Sequence, residues 1–434
     1  MIARVLLWGR TIGAVSLEAG RDHAAFQYAP AFARSGIEVS PLTMPFSDRV
    51  YVFPELPLRT FHGLPGMLAD ALPDRFGNLL IDAWLATQGR TPDGFSAVER
   101  LCYTGTRGMG ALEFAPVLGP RPRKAARIEI EALVRLASEV LSQRAGLLGS
   151  FQGPARQRAL QAILRVGTSA GGARAKAVIA WNRKTDEIKA GQLDAPPGYE
   201  YFLLKFDGMG EDSELGASKD YGRVEFAYYL MARKAGIDMS ECRLLHENGR
   251  AHFMTKRFDR EEGGVRHHMQ TLCAIDHVDF KKKGTNSYAQ LFQVISQLAL
   301  PYEQKEEAFR RMVFNVMARN CDDHTKNLSF RLRQGSPWEL APAYDITFAH
   351  NPKGEWTNQH LMSVNGKFKG FTEDDMLRVA DRFGIGTAKK VIADVQEAIA
   401  QWPDFAKQAS LSQAATQEIG KQHILLAKQT KGVK

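Results

Sequence analysis

Cysteine is scarce and scattered: Cys102, Cys242, Cys273 and Cys321 are the only four in 434 residues. They form no CxxC pair and no zinc-binding pattern, which argues against a disulfide scaffold or a structural metal module and for a reduced compartment. Long apolar runs are missing too. None approaches the ~20 residues that a membrane-crossing helix needs. The opening MIARVLLWGRTIGAVSL is broken by Arg10, and it reads as two strands around a glycine turn rather than a secretion signal. A cytoplasmic chain with no membrane partner is therefore expected. Acidic residues are outnumbered, 48 against 57 Lys and Arg, for a net charge of +9. This surplus is spread along the chain, so it permits an anionic partner such as a nucleotide or nucleic acid without marking a face for one. No helix-turn-helix signal is found.

What is present is enough length for a sizeable core. At ~100–200 residues per domain, the chain suggests two to three domains or one large two-lobed unit. Residues 2–60 alternate apolar and polar positions in short runs separated by Gly, Pro, Asp and Ser, as a small antiparallel sheet does. Residues 64–105 have helical spacing, broken at Pro73 and Gly77. GTRGMGAL at 105–112 is glycine-rich but is followed by prolines rather than a helix, so it reads as a structural turn. The rigid basic stretch Gly119–Lys124 marks the first domain boundary, and a helix is expected over 128–147.

Chemistry enters with LQAILRVGTSAGGARAKAVIAWN, residues 160–182. Gly167, Ser169 and Gly171 formally match the G-x-S-x-G elbow of serine hydrolases, which needs a helix after the serine. The run Ala177–Trp181 is instead a strand signal. A glycine loop between two strands folds its backbone N–H groups over phosphates, although a plain surface hairpin has the same pattern. The strand YFLLKF at 201–206 then carries Lys205 among apolar neighbours, where a lysine is costly to bury without an anion. It is either an edge residue facing solvent or a phosphate-gripping lysine held by a helix glutamate. Glu225, read as the start of a helix running to Gly236, is the candidate partner. From 267 onward the pattern is mostly helical.

The densest constellation is FNVMARNCDDHTKNLSFRLRQGSPWELAPAYDI, residues 314–346. An apolar helical run stops at Asn320, polar residues follow, and Leu328, Phe330 and Leu332 alternate as in a strand. Asp322 and Asn327 stand five residues apart, as in the protein-kinase catalytic loop, and Asp345 follows after a hairpin-length gap. Phosphoryl transfer needs such a set: one carboxylate for the attacking hydroxyl, and an amide with a second carboxylate for the metal. The same residue types are also ordinary in turns.

Taken with FLLKFDG, FMTKRFDRE, HMQTLCAIDHVDF and LAPAYDIT, these stretches resemble the HipA family of serine/threonine kinases, toxins of type II bacterial toxin–antitoxin modules. The motifs run in family order from Gly167 to Thr347, and the N-terminal sheet with LPGMLADALPDRFGNLLI is similar to the family's N-terminal subdomain. The resemblance implies an α+β, two-lobed protein-kinase-like fold. Its parts would be a β-rich N-terminal subdomain over 1–120, a nucleotide-binding lobe over 121–260 and an α-helical lobe over 261–434. It also implies ATP and Mg²⁺ as cofactors, with Asp322 as catalytic base and Asn327 and Asp345 as metal ligands. Lys205 and the loop Ser169, Ala170, Gly171 and Gly172 would bind phosphates, with Lys176 nearby. Lys256 and Phe258 would form the adenine hinge. His324 joins the nucleotide-binding set and, with Asp323, orients the catalytic turn.

Ser169 matches the autophosphorylated serine of the family, and Arg174 stands where some members have Gln. The implied partners are a protein substrate such as an aminoacyl-tRNA synthetase and a small helix-turn-helix antitoxin of the HipB type, through which operator DNA is reached. A small-molecule kinase of related fold and a non-catalytic, antitoxin-bound corepressor are the competing readings.

Overall fold

The computed structural model of the protein describes residues 1–73, 75–119, 127–142, 174–208, 211–212, 216–217 and 220–426. Among them, three antiparallel sheets of three or more strands, two short two-stranded sheets and the helices between them build an α+β architecture with two lobes and an N-terminal subdomain. In the subdomain, strands Ile2–Leu7, Arg10–Ser16 and Ala25–Tyr28 form a meander, as the alternation predicts. The sheet's fourth strand, Leu112–Ala115, pairs with Ile2–Leu7. The sequence gives no warning of it, because the glycines before it and the proline after it mask a four-residue strand. Within the alternating residues 2–60, the run 50–53 supplies only an isolated bridge, Tyr51 to Phe26.

The second sheet has five strands in the order Cys242–Glu247, Arg250–Lys256, Glu200–Lys205, Lys176–Asn182 and Glu187–Ala190. Lys205 therefore sits on the central strand, beside Phe253 on one neighbour and Lys176 on the other. Helix Tyr221–Lys234 crosses this sheet and buries Val224, Ala227, Tyr228 and Met231 at helical spacing. It starts four residues before the expected Glu225, which puts the glutamate in its second turn. The close crossing needs Gly222, since a Cβ there would lie 2.0 Å from the carbonyl oxygen of Ala251. The expected helix 128–147 is described over Ile130–Ser142.

The second lobe is not purely helical. Helices Tyr288–Gln297, Tyr302–Met317, Glu373–Phe383 and Ala388–Ala400 enclose its core, but a third sheet joins His268–Thr271, Ser329–Leu332 and Trp338–Leu340. All four residues of Ser329–Leu332 are buried, because on the face that alternation would leave to solvent the Ser329 hydroxyl bonds to that of Tyr344 and Arg331 Nη1 donates to the Phe258 carbonyl at 2.9 Å. The subdomain docks at this sheet from the register partners of Phe330 and Leu332: Gln270 Nε2 donates to the carbonyl of Val39 at 2.6 Å and Trp338 Nε1 to that of Glu38 at 3.0 Å. At the same boundary, buried Asp259 binds Arg257, Arg260 and the Gly110 amide. Burial alone would raise its carboxyl, but the two guanidiniums hold it well below the ordinary range. Among the described residues no helix is long and apolar enough to cross a membrane.

Candidate active site

Helix Tyr302–Met317 ends in buried packing, and the chain then runs through Cys321–His324 into a single 3-10 turn, Thr325–Asn327. Two adjacent aspartates leave this segment in opposite directions. Asp323 points inward and is 2 % exposed. It accepts from the Tyr288 hydroxyl at 2.8 Å, His360 Nδ1 at 2.9 Å and the Leu361 amide at 2.8 Å. Burial would lower the His360 imidazole, but the Asp323 carboxylate overrides this and pushes it up to about 10. Asp323 and cationic His360 thus form a buried pair that fixes the backbone under the turn.

Asp322 points outward. Its side chain is 39 % exposed, with Oδ1 accepting from Trp356 Nε1 at 2.8 Å and lying 3.7 Å from His324 Nε2. Desolvation raises its carboxyl above the ordinary value, against the pull of His324 and Trp356. That direction suits a group that must take a proton.

Asp345 follows the hairpin of the third sheet and adopts φ +53°, in the left-handed region that Asp tolerates better than most residues. Its carboxylate pairs with the Lys205 ammonium, and the same ammonium donates to Glu225 Oε1 at 2.5 Å. Lys205 is thus shared by two carboxylates, one from the sheet-crossing helix and one from the other lobe. Burial raises the Asp345 carboxyl, but Lys205 and then Lys176 more than reverse this, holding it below its ordinary value. Desolvation works against the Lys205 ammonium, and the two acids hold it charged and raised. Glu225, 3 % exposed, shifts up because burial outweighs its lysine.

Asn327 and Asp345 border one pocket, together with Arg311, Asn315, Tyr344 and Ile346. Asn327 Nδ2 donates to the Asp322 carbonyl at 2.8 Å, which leaves its amide oxygen to act as an acceptor. An amide oxygen and a carboxylate are the hard donors that Mg²⁺ takes alongside water and phosphate oxygens. The residues present therefore fit the ion.

The structure brings together Asp322, His324, Asn327, Asp345, Lys205 and Glu225. The Lys256 ammonium pairs with Glu200 and its amide donates to the Glu241 carbonyl at 2.8 Å. The Phe258 carbonyl accepts from Arg331 Nη1 at 2.9 Å, and its ring lies 5.8 Å from that of Tyr344. Ser169, Ala170, Gly171 and Gly172 lie outside the described residues. Trp356 and His360 have no signal in the sequence, because both sit in the turn-rich run 351–360 where spacing carries no information.

A family model described as the HipA-like C-terminal domain matches residues 168–402, and a HipA N-terminal domain matches residues 3–115. This chain belongs to the HipA family. The serine/threonine-protein kinase toxin HipA of Shewanella oneidensis is 23% identical over 380 residues, spanning 82% of this chain and 77% of that protein. A putative kinase of Haemophilus influenzae is 28% identical over 153 residues, 32% of this chain and 44% of its own length. The structure of Shewanella oneidensis MR-1 HipA in complex with HipB and its operator DNA has a TM-score of 0.64 at 18% identity, with 96% of this chain and 94% of that one covered. The HipA fold of this chain is α+β and kinase-like.

Proposed function

We propose that this HipA-family chain is an ATP-dependent serine/threonine protein kinase. The observation that carries the reading is the ion-pair bridge from Glu225 through Lys205 to Asp345, which joins the two lobes over the pocket that Asn327 lines. In this role Lys205 holds triphosphate oxygens, with Glu225 keeping the ammonium in place. Asn327 and Asp345 hold Mg²⁺, which supplies charge neutralisation at the phosphates. Asp322 accepts the proton of a serine hydroxyl as its oxygen bonds to the γ-phosphorus and ADP departs. His324, 3.7 Å from Asp322, is the cation nearest that base when protonated. The loop serine Ser169 is the proposed site of autophosphorylation.

Affiliation with HipA supports a protein substrate, with an aminoacyl-tRNA synthetase or another translation factor as candidates. It also supports restraint by a small HipB-type antitoxin that carries the contact with operator DNA. The test is radioactive phosphate from γ-labelled ATP incubated with the chain and a cell extract. Label is expected in protein, with Asp322→Asn abolishing it while nucleotide binding persists. Transfer undiminished by Asp322→Asn would refute the base assignment, and label confined to a metabolite would favour a small-molecule kinase.

A further inference from the structure

The carboxylate of Asp322 has two oxygens, and the structure treats them differently. Oδ1 accepts the indole N–H of Trp356 at 2.8 Å, whereas no partner is found for Oδ2 among the described residues. An aspartate's terminal torsion is broad and roughly two-fold, so without a fixed donor the carboxylate turns readily. An indole N–H only donates, so it captures one oxygen as an acceptor and aims the other away.

Trp356 is itself held from both sides. The Lys283 ammonium binds the carbonyl of Glu355, and the Thr357 carbonyl receives the Asn351 amide at 3.3 Å and lies 3.1 Å from His350 Nδ1. Three residues on, His360 and Leu361 bind Asp323, so the segment carrying the indole is tied to the same turn that carries Asp322. The chain between Asp345 and Leu361 thereby supports the catalytic turn through its own packing.

We propose that Trp356 is a positioning residue for phosphoryl transfer, fixing Asp322 so that Oδ2 faces the acceptor hydroxyl. This rests on the kinase reading above. In the step it serves, Oδ2 takes the hydroxyl proton, the hydroxyl oxygen forms a bond to the γ-phosphorus, and the bond from that phosphorus to the β,γ-bridging oxygen breaks to release ADP. Trp356 exchanges no proton; it sets the direction from which the base acts.

The experiment follows ADP formation from Mg-ATP by the full chain with residue 356 replaced. Benzothienylalanine keeps the shape of tryptophan and puts sulfur in place of the N–H. It is expected to lower kcat about tenfold or more, with KM for ATP within about twofold and an unchanged melting temperature. 7-Azatryptophan at the same position, which keeps the N–H, restores the rate. Equal kcat for the benzothienyl and native chains overturns the inference, as does a loss that 7-azatryptophan fails to rescue. Asp322→Asn separates the two readings: if that variant turns over ATP normally, the base assignment fails and takes this inference with it. If Asp322→Asn is inactive and the benzothienyl chain is not slowed, only the role of Trp356 fails.

Discussion

The ammonium of Lys205 is paired with the carboxylate of Asp345, 140 residues further along the chain and on the other lobe. Both are charged, and Lys205 is only 13 % exposed. On the proposed reading, Lys205 would hold triphosphate oxygens with Glu225 beside it, and Asp345 would hold the metal. Replacing Lys205 by Met removes the counter-charge from a glutamate that is 3 % exposed. The expected result is a loss of about 3 kcal/mol in stability, the usual cost of a buried charge left unpaired. Chemical denaturation measures this, and ATP turnover should fall below detection. Lys205→Met combined with Glu225→Gln should recover much of the stability and none of the activity.

The pair of Asp323 and His360 gives stability a pH dependence. The His360 imidazole is pushed up to about 10 in the fold and returns to about 6.5 when the chain unfolds. Its folded value is the higher one, so its contribution is fully present below about pH 6.5 and is lost as pH rises toward 10. His360→Gln should flatten this decline. His360→Ala should cost about 3–5 kcal/mol near neutral pH, since it strands a buried carboxylate. Urea midpoints measured from pH 6 to pH 10 check both outcomes.

Much of this arrangement was legible beforehand, and for physical reasons. Lys205 stands out because a lysine inside YFLLKF needs an anion, and the Asp322, Asn327 and Asp345 spacing reflects a turn and a hairpin of fixed length. Glu225 stands out as a partner although its helix starts earlier than expected, since Val224 before it already belongs to the helical spacing of Ala227, Tyr228 and Met231. The strand Leu112–Ala115 was hidden by flanking glycine and proline. Trp356 and the Asp323 partners Tyr288 and His360 are brought in by tertiary packing across 34 to 37 residues, a range at which a single sequence carries no pattern. At the expected hinge, the Lys256 ammonium pairs with Glu200 and the Phe258 carbonyl accepts from Arg331.

Ser169 is expected to gain a phosphate when the purified chain is incubated with Mg-ATP. A phosphoserine there adds nearly two negative charges at about pH 7, close in sequence to buried Lys176 at the start of its strand. On the phosphate-loop reading the new charge repels triphosphate, so the modified chain should bind ATP at least about tenfold more weakly. Mass spectrometry locates the phosphate and isothermal titration measures the affinity. Ser169→Ala should abolish the mass shift, and a shift that survives this substitution would place the modification elsewhere.

Asp70 ties the N-terminal subdomain to the catalytic turn, and it does so from a half-buried position. Its carboxylate accepts from the Thr271 amide at 2.6 Å and the Thr271 hydroxyl at 3.0 Å, and it lies 3.8 Å from the ammonium of Lys326, the residue before Asn327. Burial nonetheless pushes its carboxyl up, opposed by Lys326 and Thr271. Asp70→Ala leaves the Thr271 donors unsatisfied and should cost about 1–3 kcal/mol. Asp70→Asn keeps an acceptor for Thr271 and withdraws the charge that faces Lys326. Stability should then be largely retained, while kcat falls because the turn carrying Asn327 is held less firmly. A thermal melt beside an ATP turnover assay separates these outcomes. If Asp70→Asn leaves kcat at the native value, the subdomain supports the fold alone; if kcat falls with little change in melting temperature, it also sets the geometry of the turn on which phosphoryl transfer would depend.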